Sequence, residues 1–72
     1  MPLREHRVIL GRAIRRFRDE RGITQEKLAE KAELTAKYLG EVERGVVNIS
    51  VDSLARIAAA LRMRISDLTR DI

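Results

Sequence analysis

Residues 24–45, TQEKLAEKAELTAKYLGEVERG, constrain the fold of this chain more than any other stretch. Thr24 and Thr35 each stand before a segment of helical periodicity. A threonine hydroxyl in that place accepts an orphan N–H of the first helical turn. After Thr24, the residues Leu28, Ala29 and Ala32 share one face; after Thr35, Tyr38, Leu39 and Val42 do. Gly45 follows Arg44, where a helix ends on a residue of positive φ. The spacing predicts two short helices joined by a turn of three or four residues.

The flanks supply three more helices. Met1–Arg7 reads as a frayed lead-in, and a first helix is expected over about Arg7–Arg21, with Leu10, Ile14 and Phe17 as its buried stripe. Gly22 ends it. Beyond a loop at Val46–Ile49, Ser50 caps a fourth helix over Val51–Leu61, whose inner stripe is Leu54, Ile57, Ala58 and Leu61. A turn at Arg62–Arg64 leads to a short fifth helix, about Ile65–Arg70, with Leu68 inward. No β pattern, repeat or low-complexity segment interrupts this. The expectation is an all-α, five-helix domain occupying residues 1–72.

Composition removes whole classes of function. There is no cysteine for a disulfide or a thiolate metal site, and only one histidine, His6. The acids Asp19 and Glu20, or Glu41 and Glu43, are adjacent or two apart, spacings that do not converge on one helix face. No catalytic residue, metal or cofactor is expected. No apolar run approaches the roughly 18 residues that span a bilayer. No secretory cleavage pattern follows the N-terminus. The expected location is the cytoplasm, away from membranes.

The central motif has the layout of a helix-turn-helix. TQEKLA, a turn of small residues, then TAKYLGEVERG resembles the Cro/repressor-type (Xre) family of DNA-binding proteins. LGRAIRRFRDERGIT upstream resembles that family's first helix, and NISVDSLARIAAAL downstream its fourth, so Leu10 to Leu68 is covered. The resemblance implies a lambda-repressor-like domain that binds double-stranded DNA as a homodimer. ERGVVNISVDSLARIAAAL is most similar to restriction–modification controller proteins, which regulate their own operon and the restriction enzyme gene. Repression and activation through RNA polymerase are both open. The competing reading is an antitoxin-type module that sequesters a toxin and autoregulates its operon.

The candidate DNA-binding residues follow from this layout. Gln25, beside Thr24, opens the second helix, where its amide can meet a phosphate. The third helix is expected to read the major groove from its N-terminal half. Thr35, Ala36, Lys37, Gly40, Glu41 and Arg44 are left to face outward or along the rim. Lys37 can donate to guanine or phosphate, Ala36 can meet a thymine methyl, and Glu41 can accept from cytosine. Arg44 suits a phosphate, and the Tyr38 hydroxyl can reach one while its ring packs. Asn48 and Ser53 are candidate neutral donors in the next loop.

Charge is unevenly spread. Residues 1–22 carry seven arginines and three acids, whereas residues 23–72 carry eight cations and eight acids. Both a polyanion partner and a merely solvated helix face fit this asymmetry. The third helix holds Lys37 and Arg44 against Glu41 and Glu43, so phosphate affinity must come mainly from outside it.

Four further residue sets carry expectations. Glu33 departs from the family that the chain resembles, which usually has glycine where the turn needs positive φ; a non-glycine residue there costs about 1 kcal/mol or more. Gly40, inside a helix, costs about 1 kcal/mol relative to alanine. Glu43 lies on the inner side of the third helix, and the resemblance implies a semi-buried ion pair with Arg18. Val46, Val47, Ile65, Leu68 and Ile72 are expected to form a two-fold dimer interface.

Overall fold

The computed structural model describes residues 3–72, with side chains from residue 4 onward. Five helices follow in order: α1 (Leu3–Glu20), α2 (Gln25–Lys31), α3 (Ala36–Arg44), α4 (Val51–Ala60) and α5 (Ile65–Leu68). The first helix therefore starts four residues before the expected Arg7, so residues 3–6 are not a frayed lead-in; Met1 and Pro2 lie outside the described residues. Val8 explains part of the difference, because its backbone is held against the turn at Gly45. At the other end, α4 and α5 are slightly shorter than expected.

Local chemistry starts each inner helix in the same way. The hydroxyls of Thr24, Thr35 and Ser50 accept from the N–H groups of Lys27, Tyr38 and Ser53, each at 3.0 Å. For α5 the roles reverse: the Arg64 N–H donates to the Asp67 carboxylate at 2.9 Å.

The helix ends are equally uniform. Each of α1–α4 closes on a left-handed residue: Gly22 (φ 66), Glu33 (φ 58), Gly45 (φ 75) and Arg62 (φ 57). The next residue in each case returns its N–H to a carbonyl five positions back: Ile23 to Arg18, Leu34 to Ala29, Val46 to Glu41, and Met63 to Ala58. This is the Schellman arrangement, which satisfies otherwise orphaned carbonyls. Glu33 does adopt the positive φ that its turn requires, and Arg62 does the same without a glycine. Ile23, Leu34 and Met63 then pack against the core, whereas Val46 is 59% exposed.

The core is built from Leu10 and Ile14 of α1, Leu28 and Ala29 of α2, and Leu39 and Val42 of α3, with Ala32 between α2 and α3. The α4 residues Leu54, Ile57 and Ala58, then Leu61 and the α5 residue Leu68, complete it. Phe17 is only half-buried: the guanidinium of Arg16 lies 4.7 Å from its ring centroid and that of Arg21 5.7 Å away. Leu68 is 1% exposed and belongs to this core. It cannot serve the dimer interface expected for it, because its side chain is already consumed by the monomer.

Two arginines brace helix ends from a distance. Arg21 Nε donates to the Leu61 carbonyl at 2.8 Å, and Arg56 Nε to the Ala32 carbonyl at 3.1 Å. Both carbonyls immediately precede the left-handed non-glycine turns.

Candidate nucleic-acid interface

α3 is held from behind by α1. Gly11 of α1 lies so close that an added Cβ would stand 2.5 Å from the Glu43 carbonyl oxygen and closer still to that of Val42. Glycine is required there because any side chain would meet backbone. At the far end of the seam, a Cβ on Gly45 would lie 2.7 Å from the Val8 Cα, and its φ of 75° independently favours glycine.

The seam also carries the buried charges. Arg18 Nε donates to Glu43 Oε2 at 2.7 Å, and Nη2 to Oε1 at 3.1 Å, a bidentate pair between residues 8% and 6% exposed. Arg18 Nη1 also donates to the Ile23 carbonyl at 2.9 Å. The hydrogen bond to Glu43 raises the Arg18 pKa above its already strongly basic value, against a smaller opposing effect of burial. A lysine could not reproduce this fork. Gln25 joins the same carboxylate: its Nε2 donates to Glu43 Oε1 at 2.8 Å. Glu43 thus ties α1, the start of α2 and α3 together.

On the opposite side of α3, Thr35, Lys37 and Arg44 are exposed and Glu41 is half-buried. Thr24 is exposed and Gln25 half-buried at the start of α2, and Asn48 is exposed in the following loop. These residues come from three segments fixed by caps and by the seam, leaving one side of α3 open to a partner.

Several expected contacts change. Gly40 is buried, covered by Gln25 and Arg44, rather than facing outward. Ala36 is half-buried and packs against the core, which limits its reach toward a thymine methyl. The Tyr38 hydroxyl donates to the Asn48 carbonyl at 3.0 Å. Its proton is therefore not available to a phosphate; it ties α3 to the next loop instead. Ser53 is buried, with its hydroxyl 3.3 Å from Arg56 Nη2, and is no surface donor. Among the arginines of residues 1–22, Arg18 and Arg21 are engaged by the fold, so the charge excess of this segment is partly structural. Sequence patterning missed Gly11, whose reason lies in another helix, and Val51, which is 74% exposed at the start of α4.

The family profile described as Helix-turn-helix matches residues 14–68, most of the chain, including all of α2 and α3. The chain belongs to the helix-turn-helix family of DNA-binding transcriptional regulators. Among helix-turn-helix relatives it is 42% identical over 57 residues to the immunity repressor protein of Bacillus phage phi105. That match covers 79% of this chain and only 40% of the repressor. It is 35% identical over 63 residues to control protein C.BamHI of Bacillus amyloliquefaciens, covering 86% of this chain and 78% of that protein. The restriction-modification controller protein C.AhdI from Aeromonas hydrophila superposes with a TM-score of 0.84 at 36% identity, over 85% of this chain and 92% of that one. The clp gene regulator ClgR from Corynebacterium glutamicum gives 0.88 at 35% identity, over 99% and 72% respectively. In this helix-turn-helix protein, α2 and α3 form the motif. Among the described residues no helix is long and apolar enough to cross a membrane.

Proposed function

We propose that this chain is a sequence-specific regulator that binds a palindromic operator as a homodimer, in the manner of a restriction–modification controller. The observation that carries the proposal is the open side of α3. It presents Thr35, Lys37, Glu41 and Arg44 while the opposite side is locked to α1. A frame of that rigidity lets base-edge donors and acceptors discriminate sequence rather than merely adhere. In the proposed complex Lys37 and Glu41 address bases. Thr24, Gln25, Arg44 and Asn48 hold the sugar–phosphate chain, and Thr35 does either.

Dimerisation is supported by the odd helix end. The apolar residue after each of α1, α2 and α4 packs against the core, but Val46 after α3 does not. Among the described residues, Val51 and Ile72, 74% and 46% exposed, are the other large apolar side chains left in water. A second copy covering Val46 and Val51 would remove this exposure, with Val47 and Ile65 at the margin because both already lean on the core. Half-sites about one helical turn, ~34 Å, apart would follow.

Footprinting on the DNA immediately upstream of the protein's own gene tests the proposal. Two protected half-sites in inverted repeat are expected. Protection of a single asymmetric site, or a monomer mass independent of concentration in sedimentation, would overturn the homodimer. A protein that protects no DNA but retains a co-expressed toxin would favour the antitoxin reading.

A further inference from the structure

Gly40 sits in the middle of α3 at a cost of about 1 kcal/mol relative to alanine, and nothing inside the protein demands it. Unlike Gly11 and Gly45, it meets no backbone: an added Cβ would lie 3.4 Å from Arg44 Nη1, 3.6 Å from Gln25 Oε1 and 3.8 Å from Gln25 Nε2. These are ordinary contacts, all with the ends of two flexible side chains. One point above α3 is thus approached at once by a guanidinium from the end of α3 and an amide from the start of α2.

The two groups differ in how they are held. Arg44 forms no ion pair or side-chain hydrogen bond among the described residues, although Glu41 is one turn away. Gln25 is anchored by Nε2 to Glu43 Oε1 at 2.8 Å, and that carboxylate is neutralised by both prongs of Arg18. An amide nitrogen has two N–H groups, so one remains for an external acceptor. Because Arg18 cancels the charge of Glu43, the carboxylate can orient Gln25 without repelling an anion beside it.

We propose that Gln25 and Arg44 grip one and the same DNA phosphate across Gly40, and that Glu43 is the positioning residue presenting Gln25 for it. This rests on the DNA-binding function above and deepens it. Glycine at 40 leaves the two side chains room to converge. The larger the residue placed there, the further they are wedged apart. Glu43 thereby has two separate duties: closing the α1–α3 seam, and fixing one jaw of a phosphate clamp. An anion held jointly by a charged and a neutral donor also fixes the height of α3 over the duplex, because the clamp joins the start of α2 to the end of α3.

The test is a double-mutant cycle on binding to a labelled duplex selected by the parent protein from a random-sequence pool, read at several salt concentrations. Arg44→Ala should weaken binding about tenfold and lower the salt slope by roughly one ion. Gln25→Ala should weaken it about fivefold. If both hold one phosphate, the double variant should lose little more than Arg44→Ala alone; losses that multiply would overturn the shared grip. Gly40→Leu should melt within a few degrees of the parent yet bind like the double variant, and binding at the parent level would equally overturn it.

Positioning by Glu43 is read separately, well below the melting point of each variant. Glu43→Gln should reduce affinity about as much as Gln25→Ala, and should add no further loss when Gln25 is already alanine. A loss that persists in the Gln25→Ala background would assign Glu43 a structural role only. If the parent selects no duplex at all, the DNA-binding function itself fails. If the parent selects one but the losses multiply, only the clamp does.

Discussion

The two sides of α3 obey different rules. Toward α1, the helix is fitted atom to atom: Gly11 touches its carbonyls, Gly45 turns against Val8, and Arg18 locks onto Glu43. Away from α1, Lys37 and Arg44 have no such partners, and even Gly40, buried beneath Gln25 and Arg44, meets no backbone that demands a glycine. The difference teaches where change is tolerated. Glu43 apart, which also holds Gln25, substitution on the inner side acts on the fold and reaches DNA only through it. Substitution on the outer side leaves the bundle standing and, under the proposed function, alters what it recognises.

The sharpest way to break that contrast is Gly11→Ala. One methyl group must displace two backbone carbonyls, so a loss of at least about 3 kcal/mol is expected in denaturant melts. A variant of parental stability would mean that α1 and α3 can separate freely. Arg18→Ala comes next, at about 3 kcal/mol, because it leaves Glu43 buried without its cation. Arg18→Lys should recover little of this, since an ammonium cannot span both oxygens. On the outer side, Lys37→Ala should move stability by no more than about 0.5 kcal/mol while costing about 1–2 kcal/mol of discrimination between the selected site and random DNA. Equal weakening on both DNAs would show that Lys37 touches phosphate alone. The smallest effect expected is a gain: Gly40→Ala should stabilise the protein by about 0.7 kcal/mol. Calorimetry showing destabilisation there would place Gly40 with Gly11, on the fitted side.

These two glycines also show how far sequence reasoning reaches. Thr24, Thr35, Ser50 and Gly45 could be assigned as helix boundaries because capping is local chemistry, completed within three residues. The buried faces of α2, α3 and α4 were legible from periodicity for the same reason. Gly11 was not, since its requirement comes from carbonyls more than thirty positions away. The early start of α1 was missed because its first turns are polar and their support lies at Gly45. The open side of α3 could be foreseen by subtracting the apolar stripe. The Tyr38 hydroxyl could not, because its acceptor, the Asn48 carbonyl, is set by the path of a loop. Leu68 was expected both inward and at an interface; packing against α4 and α1 resolves the conflict in favour of the core.

Arg56 has a consequence that no inventory of DNA contacts would reveal. Its guanidinium fastens the Ala32 carbonyl just ahead of the left-handed Glu33, the joint that sets the pitch of α3 against α2. Under the proposed function, the aim of α3 is therefore set in part from α4. If the operator is bound as proposed, a shorter or neutral side chain at 56 should retune half-site preference with every residue at the proposed interface left unchanged.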